Sequence, residues 1–299
     1  MTLEETKSGF IAIVGRPNAG KSTILNRLCG AKIAITTPKP QTTRTQILGI
    51  LHGENYQMVF VDTPGIHLPK TRLGTYMNHA AIGAIESVDA AILAADASRG
   101  LGAPEERIME ELRTKHIPAV LALNKIDLVQ PEALLPQMAA YAEKFDFTAI
   151  IPLSAKTGDG AALLLEELEK FLAPGPFYYP EDMITDKTER EIMAEFIREK
   201  LLQFLEQEIP HGIAVEILEM KDTKGATHVS ANIICEKSSH KSIIIGKGGS
   251  MLKRVGRHAR LDAEEFFGKK IYLQLWVKVK DDWRNSNFML KSLGFTEQQ

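Results

Sequence analysis

The chain is short of cysteine, of aromatic residues and of net charge, and these shortages close off whole classes of protein. Its two cysteines, Cys29 and Cys235, form no CxxC pair, so neither a disulfide framework nor a zinc ribbon is indicated. A reducing cytoplasm is the expected compartment. Thirty-six lysines and arginines stand against 38 aspartates and glutamates, a formal charge of -2, so the whole chain has no general attraction for polyanions and any basic surface must be local. No run approaches the roughly 18 apolar residues of a membrane span. The opening MTLEETKSG is polar and partly acidic, unlike a signal or transit peptide. What remains is ordinary: 299 residues, 44% hydrophobic and 25% charged, a globular balance with length for one large domain or two of usual size.

The two halves differ in periodicity. From Phe10 to Leu172 apolar runs alternate with amphipathic stretches: FIAIV (10–14), QMVFV (57–61), AAILAA (90–95), AVLAL (119–123) and AIIPL (149–153). Such runs predict buried strands with helices between them, an α/β domain whose mostly parallel sheet carries helices on both faces. APGPFYYP at 173–180, with three prolines and a glycine, reads as a linker that continues neither helix nor strand. Beyond it the pattern predicts a helix over Thr188–Gln207, strands at 213–220 and 227–236, a helix starting near Gly249 and a strand at 271–279, a smaller α+β domain. The expected boundaries are 8–173 for the first domain, 174–186 for the linker, 187–284 for the second domain and 285–299 for a tail.

GRPNAGKS follows the first strand and matches GxxxxGK[ST] in its strand-then-helix setting. The loop of Gly15, Arg16, Pro17, Asn18, Ala19 and Gly20 would turn its backbone N–H groups, which proline alone lacks, inward on a phosphate, and the helix start adds its positive dipole end. Lys21 would reach the β- and γ-phosphates and Ser22 would bind Mg2+. A plain Gly-rich turn with a solvated lysine is the competing reading. In VFVDTPG the carboxylate of Asp62 ends a hydrophobic strand, where α/β sheets place ligand groups. It can hold Mg2+ through water, with Thr63, Pro64 and Gly65 forming the turn beside a γ-phosphate. LALNKID ends another strand. There Asp127 can accept both the N1–H and the exocyclic amine of guanine, while adenine has no N1–H to offer. Asn124 and Lys125 belong to the same motif, and SAK (Ser154, Ala155, Lys156) can present the Ala155 N–H to guanine O6.

In this order and at these strand ends, the motifs resemble those of translation-factor-like P-loop GTPases. The resemblance implies a Mg2+-sensing switch between the first two, where PKPQTTRT is similar to the PxxxTTR pattern of bacterial assembly GTPases. It points to Thr43 as the hydroxyl that closes on Mg2+, with Thr42 and Thr45 as alternatives. The metal set is then Ser22, Thr43 and Asp62. Where Ras-like proteins carry a water-orienting glutamine after DxxG, this chain has Ile66. Relatives of that kind with an asparagine in the P-loop often use bound K+, which by resemblance makes Asn18 a K+ ligand. The expected catalytic group is Lys21, Thr43, Gly65 and Asn18, acting on GTP to give GDP.

The hidden basic surface lies between Lys237 and Arg260, which hold seven basic residues and no acid. Within it Gly246, Lys247, Gly248 and Gly249 form a GxxG turn after a strand-like apolar run, Ile243 to Ile245, which would floor a site for unpaired bases. A basic helix with Lys253, Arg254 and Arg257 would follow. The element order and this turn resemble the type II KH fold across Ile192–Trp283, whose GxxG loop clamps about four nucleotides. His211, His228, His240 and His258 lack metal-ligand spacing. Trp276 is expected to be core or half-buried, and Lys278, Lys280 and Arg284 extend the basic face or form a solvated edge.

Over its full length the chain is similar to the bacterial ribosome-assembly GTPases that carry a C-terminal type II KH domain. The resemblance implies binding of single-stranded 16S ribosomal RNA near its 3′ end, with the small ribosomal subunit as partner. It also implies roles in 16S processing and 30S biogenesis, and peripheral contact with the inner membrane. A monomer is expected, since no long heptad asks for a partner. A nucleotide-stabilised RNA chaperone with incidental hydrolysis is the alternative reading. An ATP-dependent kinase is argued against by Asn124 and Asp127.

Overall fold

The computed structural model describes residues 6–37, 39, 42–64, 71–84, 88–206 and 209–295. Gly65, Ile66, Pro40, Gln41 and Gln207, and the side chain of His211, lie outside the described residues. Two compact units are formed: Met1–Ala34, Thr43–Leu68 and Met77–Asp186 in the first, Ile35–Thr42, Pro69–Tyr76 and Lys187–Gln299 in the second. The second unit thus includes two segments that the sequence reading placed in the first domain.

In chain order the first half holds β1 (Lys7–Val14), α1 (Lys21–Cys29), β2 (Ile47–His52), β3 (Tyr56–Asp62), α2 (Arg72–Gly83), β4 (Ala90–Asp96) and α3 (Ala103–Thr114). Then come β5 (Ala119–Asn124), α4 (Leu134–Ala142), β6 (Ala149–Leu153), α5 (Ala161–Glu169) and β7 (Ala173–Pro174). The sheet order is β2-β3-β1-β4-β5-β6, with β7 paired to β1. The β1, β3, β4, β5 and β6 pairings are parallel, while β2 and β7 run antiparallel to their neighbours. Successive residues of a strand point to opposite faces. Ile11, Ile13, Phe60 and Ile92 accordingly pack with Ile24 and Leu25 of α1 and Leu164 and Leu168 of α5. Ala12, Val14, Leu93 and Leu121 pack with Ile108 and Leu112 of α3 and Tyr141 of α4. Both faces are covered, which is why β4, AAILAAD, is buried along its whole length.

Two strands were not anticipated. β2, ILGILH, contains Gly49, whose added Cβ would lie 2.5 Å from Leu25 Cδ1 and 2.8 Å from Cys29 Sγ, so the glycine lets α1 approach the strand. β7 lies inside the segment read as incapable of strand: Ala173 and Pro174 pair with Ser8 and Lys7. A strand of two residues at a sheet margin tolerates proline because few ladder N–H groups are required.

The second unit adds α6 (Glu189–Phe204), β8 (Ala214–Thr223), β9 (Ala226–Cys235), α7 (Ser238–Ile245), α8 (Ser250–Phe267), β10 (Ile271–Val279) and α9 (Asn287–Ser292). A capping box starts α6, with Thr188 Oγ1 accepting from Glu191 N and Glu191 Oε2 accepting from Thr188 N. The sheet order is β10-β9-β8, β10 parallel and β8 antiparallel to β9. Its inner face, Val229, Ala231, Ile233 and Ile271, packs on Met193, Phe196, Ile197 and Leu201 of α6 and Val255, Ala259 and Ala263 of α8. Ile243–Ile245 belong to helix α7, correcting the strand-like reading: Ile244 is buried while Ile243 is 49% exposed. Trp276 is 46% exposed on the outer face of β10, against the expected packing, and Trp283 is the buried tryptophan. Within this unit Thr36 N donates to Glu199 Oε1 at 2.9 Å and Arg198 Nη2 donates to the Thr42 carbonyl.

Candidate functional site

β1 lies between β3 and β4, so the chain leaves the sheet in opposite directions around it. Ligand sites of open α/β sheets lie at such a switch point, beyond the carboxyl ends of the strands. Val14, Asp62, Asp96, Asn124 and Leu153 end β1, β3, β4, β5 and β6, and the predicted motifs follow these ends.

Two P-loop positions require glycine on steric grounds. A Cβ on Gly15 would lie 2.4 Å from the Ala94 carbonyl oxygen, and one on Gly20, at φ 98°, would lie 2.2 Å from Asn124 Nδ2. Asn18 adopts φ 65°, a left-handed conformation that asparagine tolerates. Helix α1 begins without a side-chain cap, which leaves its first-turn N–H groups available to an anion. Lys21 is buried and its Nζ donates to the carbonyls of Gly15 (3.2 Å) and Arg16 (3.3 Å). The Arg16 side chain turns away, pairing with Glu105 at 2.7 Å and donating to Gly100 O, so Arg16 offers the loop its backbone only. Ala19 is buried beside Asn124. Pro17 completes the loop.

Three oxygen ligands converge next to Lys21. Ser22 Oγ lies 2.8 Å from Thr43 Oγ1 and donates to Asp62 Oδ2 at 2.7 Å, and Thr43 Oγ1 lies 3.3 Å from that same carboxylate oxygen. The Thr42 hydroxyl is engaged elsewhere, donating to Lys39 O at 2.6 Å. Asp62 Oδ1 is buried with no hydrogen-bond partner among the described residues. Burial pushes the Asp62 carboxyl above its ordinary range, against Lys21, Ser22, Thr43 and the Thr63 backbone N–H, which lower it. Burial likewise pushes Lys21 down, opposed by Asp62. A hard divalent cation suits this all-oxygen set and the orphaned carboxylate oxygen, and a polyphosphate would compensate the buried lysine. Thr63 is locked behind the site, its hydroxyl donating to Ile13 O at 3.0 Å, with Pro64 next in the chain.

On the base side, Asn124 Nδ2 donates to Ala19 O at 2.9 Å and Asn124 Oδ1 accepts from Ala155 N at 3.0 Å. This side chain ties the P-loop to the SAK turn. Lys125, at φ 67°, donates through Nζ to Asn18 O at 2.6 Å and Asp96 Oδ2 at 2.7 Å. Burial raises the Asp96 carboxyl, but hydrogen bonds from Lys125 and Ser98 outweigh it and hold the group below the ordinary range. Sequence reasoning missed Asp96, although it ends an apolar strand as Asp62 does. Asp127 Oδ1 accepts from Ser154 Oγ at 2.8 Å, which fixes the plane of the carboxylate. Lys156 is exposed.

The GxxG turn lies in the second unit. Gly246 has φ 72° and an added Cβ would meet Met251 Cβ at 2.8 Å, so the turn cannot carry a side chain there. Gly248 (φ 58°) and Gly249 (φ 78°) have open space around them, and Lys247 is exposed. A cleft of about 400 Å³ opens between α8 and β10, lined by apolar Leu252, Leu273 and Leu275, by cationic Lys253, Arg257 and Arg260, and by Gly249 and Gly256. Arg254 is not among them: its guanidinium sits 4.1 Å over the Phe204 ring. Ile245 packs against the core rather than flooring the cleft. Positions 249, 252, 253, 256, 257 and 260 share one face of a helix, a spacing that could have revealed Leu252, Gly256 and Arg260 in advance. Arg284 pairs with Glu236 at 2.6 Å. Among the described residues no group of three histidine, cysteine or acidic side chains could hold a metal.

A family model described as a 50S ribosome-binding GTPase matches residues 10–125, and a KH domain model matches residues 208–284. GTPase Era of Clostridium acetobutylicum is 50% identical over 289 residues, 97% of this chain and 98% of that protein. GTPase Era of Clostridium botulinum strain Kyoto is 49% identical over 294 residues, 98% of this chain and 99% of that protein. Among solved structures, Era in complex with MgGDPNP and nucleotides 1506–1542 of 16S ribosomal RNA superposes with a TM-score of 0.94 at 38% identity, covering 97% of this chain and 99% of that one. A variant of Aquifex aeolicus Era bound to GDP and AlF4− gives 0.93 at 37% identity, with the same coverage.

Proposed function

Since the chain belongs to the Era family of GTPases, we propose that the site around Ser22 binds GTP with Mg2+ and hydrolyses it to GDP and phosphate. We propose further that the α8–β10 cleft holds the single-stranded 3′ end of 16S ribosomal RNA during 16S processing and 30S assembly. The protein is a GTP hydrolase with a KH domain. The observation that carries the nucleotide reading is the meeting of Ser22, Thr43 and Asp62 around a buried carboxylate oxygen, Asp62 Oδ1, beside a buried P-loop lysine. When bound, Mg2+ supplies neutralising charge on the β- and γ-phosphates.

The chain's own groups do the rest. Lys21 exchanges the Gly15 and Arg16 carbonyls for phosphate oxygens, and the α1 N-terminus with the loop amides from Gly15 to Gly20 cradles the β-phosphate. The Asp127 carboxylate, oriented by Ser154, accepts the N1–H and exocyclic amine of guanine, and Ala155 N–H turns to O6. To Gly65, which lies outside the described residues, we assign the γ-phosphate contact expected of the DxxG motif. With Ile66 in place of a water-orienting glutamine, charge developing on the β–γ bridge is met by Lys21, and Asn18 is the residue that would hold a K+, which would add positive charge there. Hydrolysis rates in KCl and NaCl test the cation, and equal rates remove it.

In the cleft, leucines face the bases while Lys253 and Arg257 face phosphates, and Lys247 of the adjoining GxxG turn meets the backbone outside it. Calorimetric titration with GDP, ADP and a single-stranded RNA of the 16S 3′ end tests the whole reading. Indifference to guanosine phosphates would end the nucleotide half of it, and indifference to RNA the other half. We place the protein in the cytoplasm as a monomer with peripheral membrane contact. No described helix is long and apolar enough to cross a membrane, and vesicle flotation and light scattering check these points.

A further inference from the structure

Resting on the guanine reading above, we propose that Arg27 is a positioning residue for base selection, holding the SAK turn so that Ala155 N–H meets guanine O6. Arg27 lies in the last turn of α1, the helix whose first turn carries the phosphate-binding Lys21 and Ser22. At 1.5 Å per residue it stands about 9 Å along the helix from Lys21, far from the phosphates. Its side chain leaves the helix. Arg27 Nε donates to Ala155 O at 3.0 Å and Nη2 donates to Lys156 O at 2.7 Å.

Two donors of one rigid fork engage two successive carbonyls, so the direction of the peptide between them is set, as a single flexible ammonium could not do. The turn is shaped to receive the guanidinium. Gly158, at φ 102°, faces it, with its Cβ position 3.6 Å from Arg27 Cζ and Nη1. The turn's other bonds are short-range or run to the base-reading loop: Gly158 N donates to Ser154 O, Ser154 N to Asp159 O, Ala155 N to Asn124 Oδ1 and Ser154 Oγ to Asp127 Oδ1. Asn124 links Ala155 N to the P-loop at Ala19 O, and Arg27 adds a second tie, from the last turn of α1 to the carbonyl side of the same turn, so the direction of the Ala155 peptide depends on both. A role limited to complementing the dipole of α1 leaves the choice of base untouched.

The test compares ligands that differ in one group of the base. In 6-thio-GDP the O6 acceptor becomes a weaker sulfur acceptor while N1–H and the 2-amino group stay. In IDP the 2-amino group, which Asp127 reads, is missing while O6 stays. Affinities of GDP, 6-thio-GDP and IDP are measured by calorimetry for the parent protein and for Arg27→Ala and Arg27→Lys. Arg27→Ala is expected to shrink the preference for GDP over 6-thio-GDP by about five-fold, the worth of one hydrogen bond. The preference for GDP over IDP should stay as it was, and Arg27→Lys should fall between. Each ratio is internal to one variant, so a general loss of folded protein cancels. A GDP to 6-thio-GDP ratio unchanged in Arg27→Ala, or no such preference in the parent, overturns the proposal. A parent protein that binds ADP as well as GDP overturns the nucleotide reading instead.

Discussion

Asp127, proposed above to read the guanine base, has its Oδ1 accepting from Ser154 Oγ, so a substitution of nearly equal shape tests the carboxylate's chemistry directly. In Asp127→Asn one oxygen becomes an NH2, which opposes the N1–H and amine donors of guanine but matches a carbonyl at position 2. GTP affinity is expected to fall about 100-fold or more, since buried donors lose their partner. Xanthosine triphosphate, with a carbonyl in place of the amine, should bind the variant better than GTP. Competition against a fluorescent GDP reads both. The cysteines show the same sensitivity to surroundings with no role in the site. Burial raises the Cys29 thiol to about 12, and burial also raises Cys235, which is fully enclosed. A raised thiol stays protonated until the pH nears its new value, so at pH 8 almost no reactive thiolate exists. Native protein should consume no Ellman reagent at pH 8 on a timescale that exhausts free glutathione, whereas protein in urea should release two equivalents for its two cysteines.

At the scale of elements, the cleft of the second unit sets stability against binding. Gly256 lies mid-helix in α8, where glycine costs about 0.5–1 kcal/mol relative to alanine. A Cβ there would touch only the end of Leu275, at 3.4 Å, an ordinary contact that takes space from the cleft. Gly256→Ala is therefore expected to raise the melting temperature while weakening single-stranded RNA binding, measured by scanning calorimetry and fluorescence anisotropy. A stabilised variant with unaltered RNA affinity would show that the bases lie elsewhere. The same elements show what a sequence can display. Ser22, Asp62, Asn124 and Ser154 were legible because each closes or follows an apolar strand and phosphate or guanine chemistry demands those residue types. The run Ile243–Ile245 misled because three isoleucines suit a strand and a buried helix turn equally, and length alone could have decided. β2 stayed hidden behind Gly49, whose reason is a helix packed across it, and the segment 35–42 gave no local hint of its packing in the second unit, because that contact joins residues some 160 positions apart.

At the scale of the whole molecule, the chain passes from one unit to the other more than once. Thr43, beside Ser22 and Asp62, belongs to the first unit, while its neighbour Thr42 belongs to the second, where Arg198 donates to its carbonyl. The second segment of this kind, 71–76, is fixed within the same unit by Arg72, whose N and Nη1 donate to Asn285 Oδ1 (3.2 Å) and Asn287 Oδ1 (2.8 Å). The first of these segments ends at the residue before Thr43, the position expected to sense a γ-phosphate. On the proposal that a nucleotide draws Thr43 onto Mg2+, that movement is expected to work with or against the Glu199 bond to Thr36 and the Arg198 bond to Thr42, and the free energy held in those bonds would appear as coupling. RNA affinity measured with GDP and with a nonhydrolysable GTP analogue should then differ by about 5-fold or more. Linkage demands that RNA change the preference between the two nucleotides by that same factor. Arg198→Met removes the bond to Thr42 without touching a nucleotide-binding group, so it should bring both ratios toward one while GDP affinity in the absence of RNA stays put. Equal RNA affinities in the parent protein would mean that the switch segments rearrange at no cost to the second unit, and would leave the two sites as independent modules on one chain.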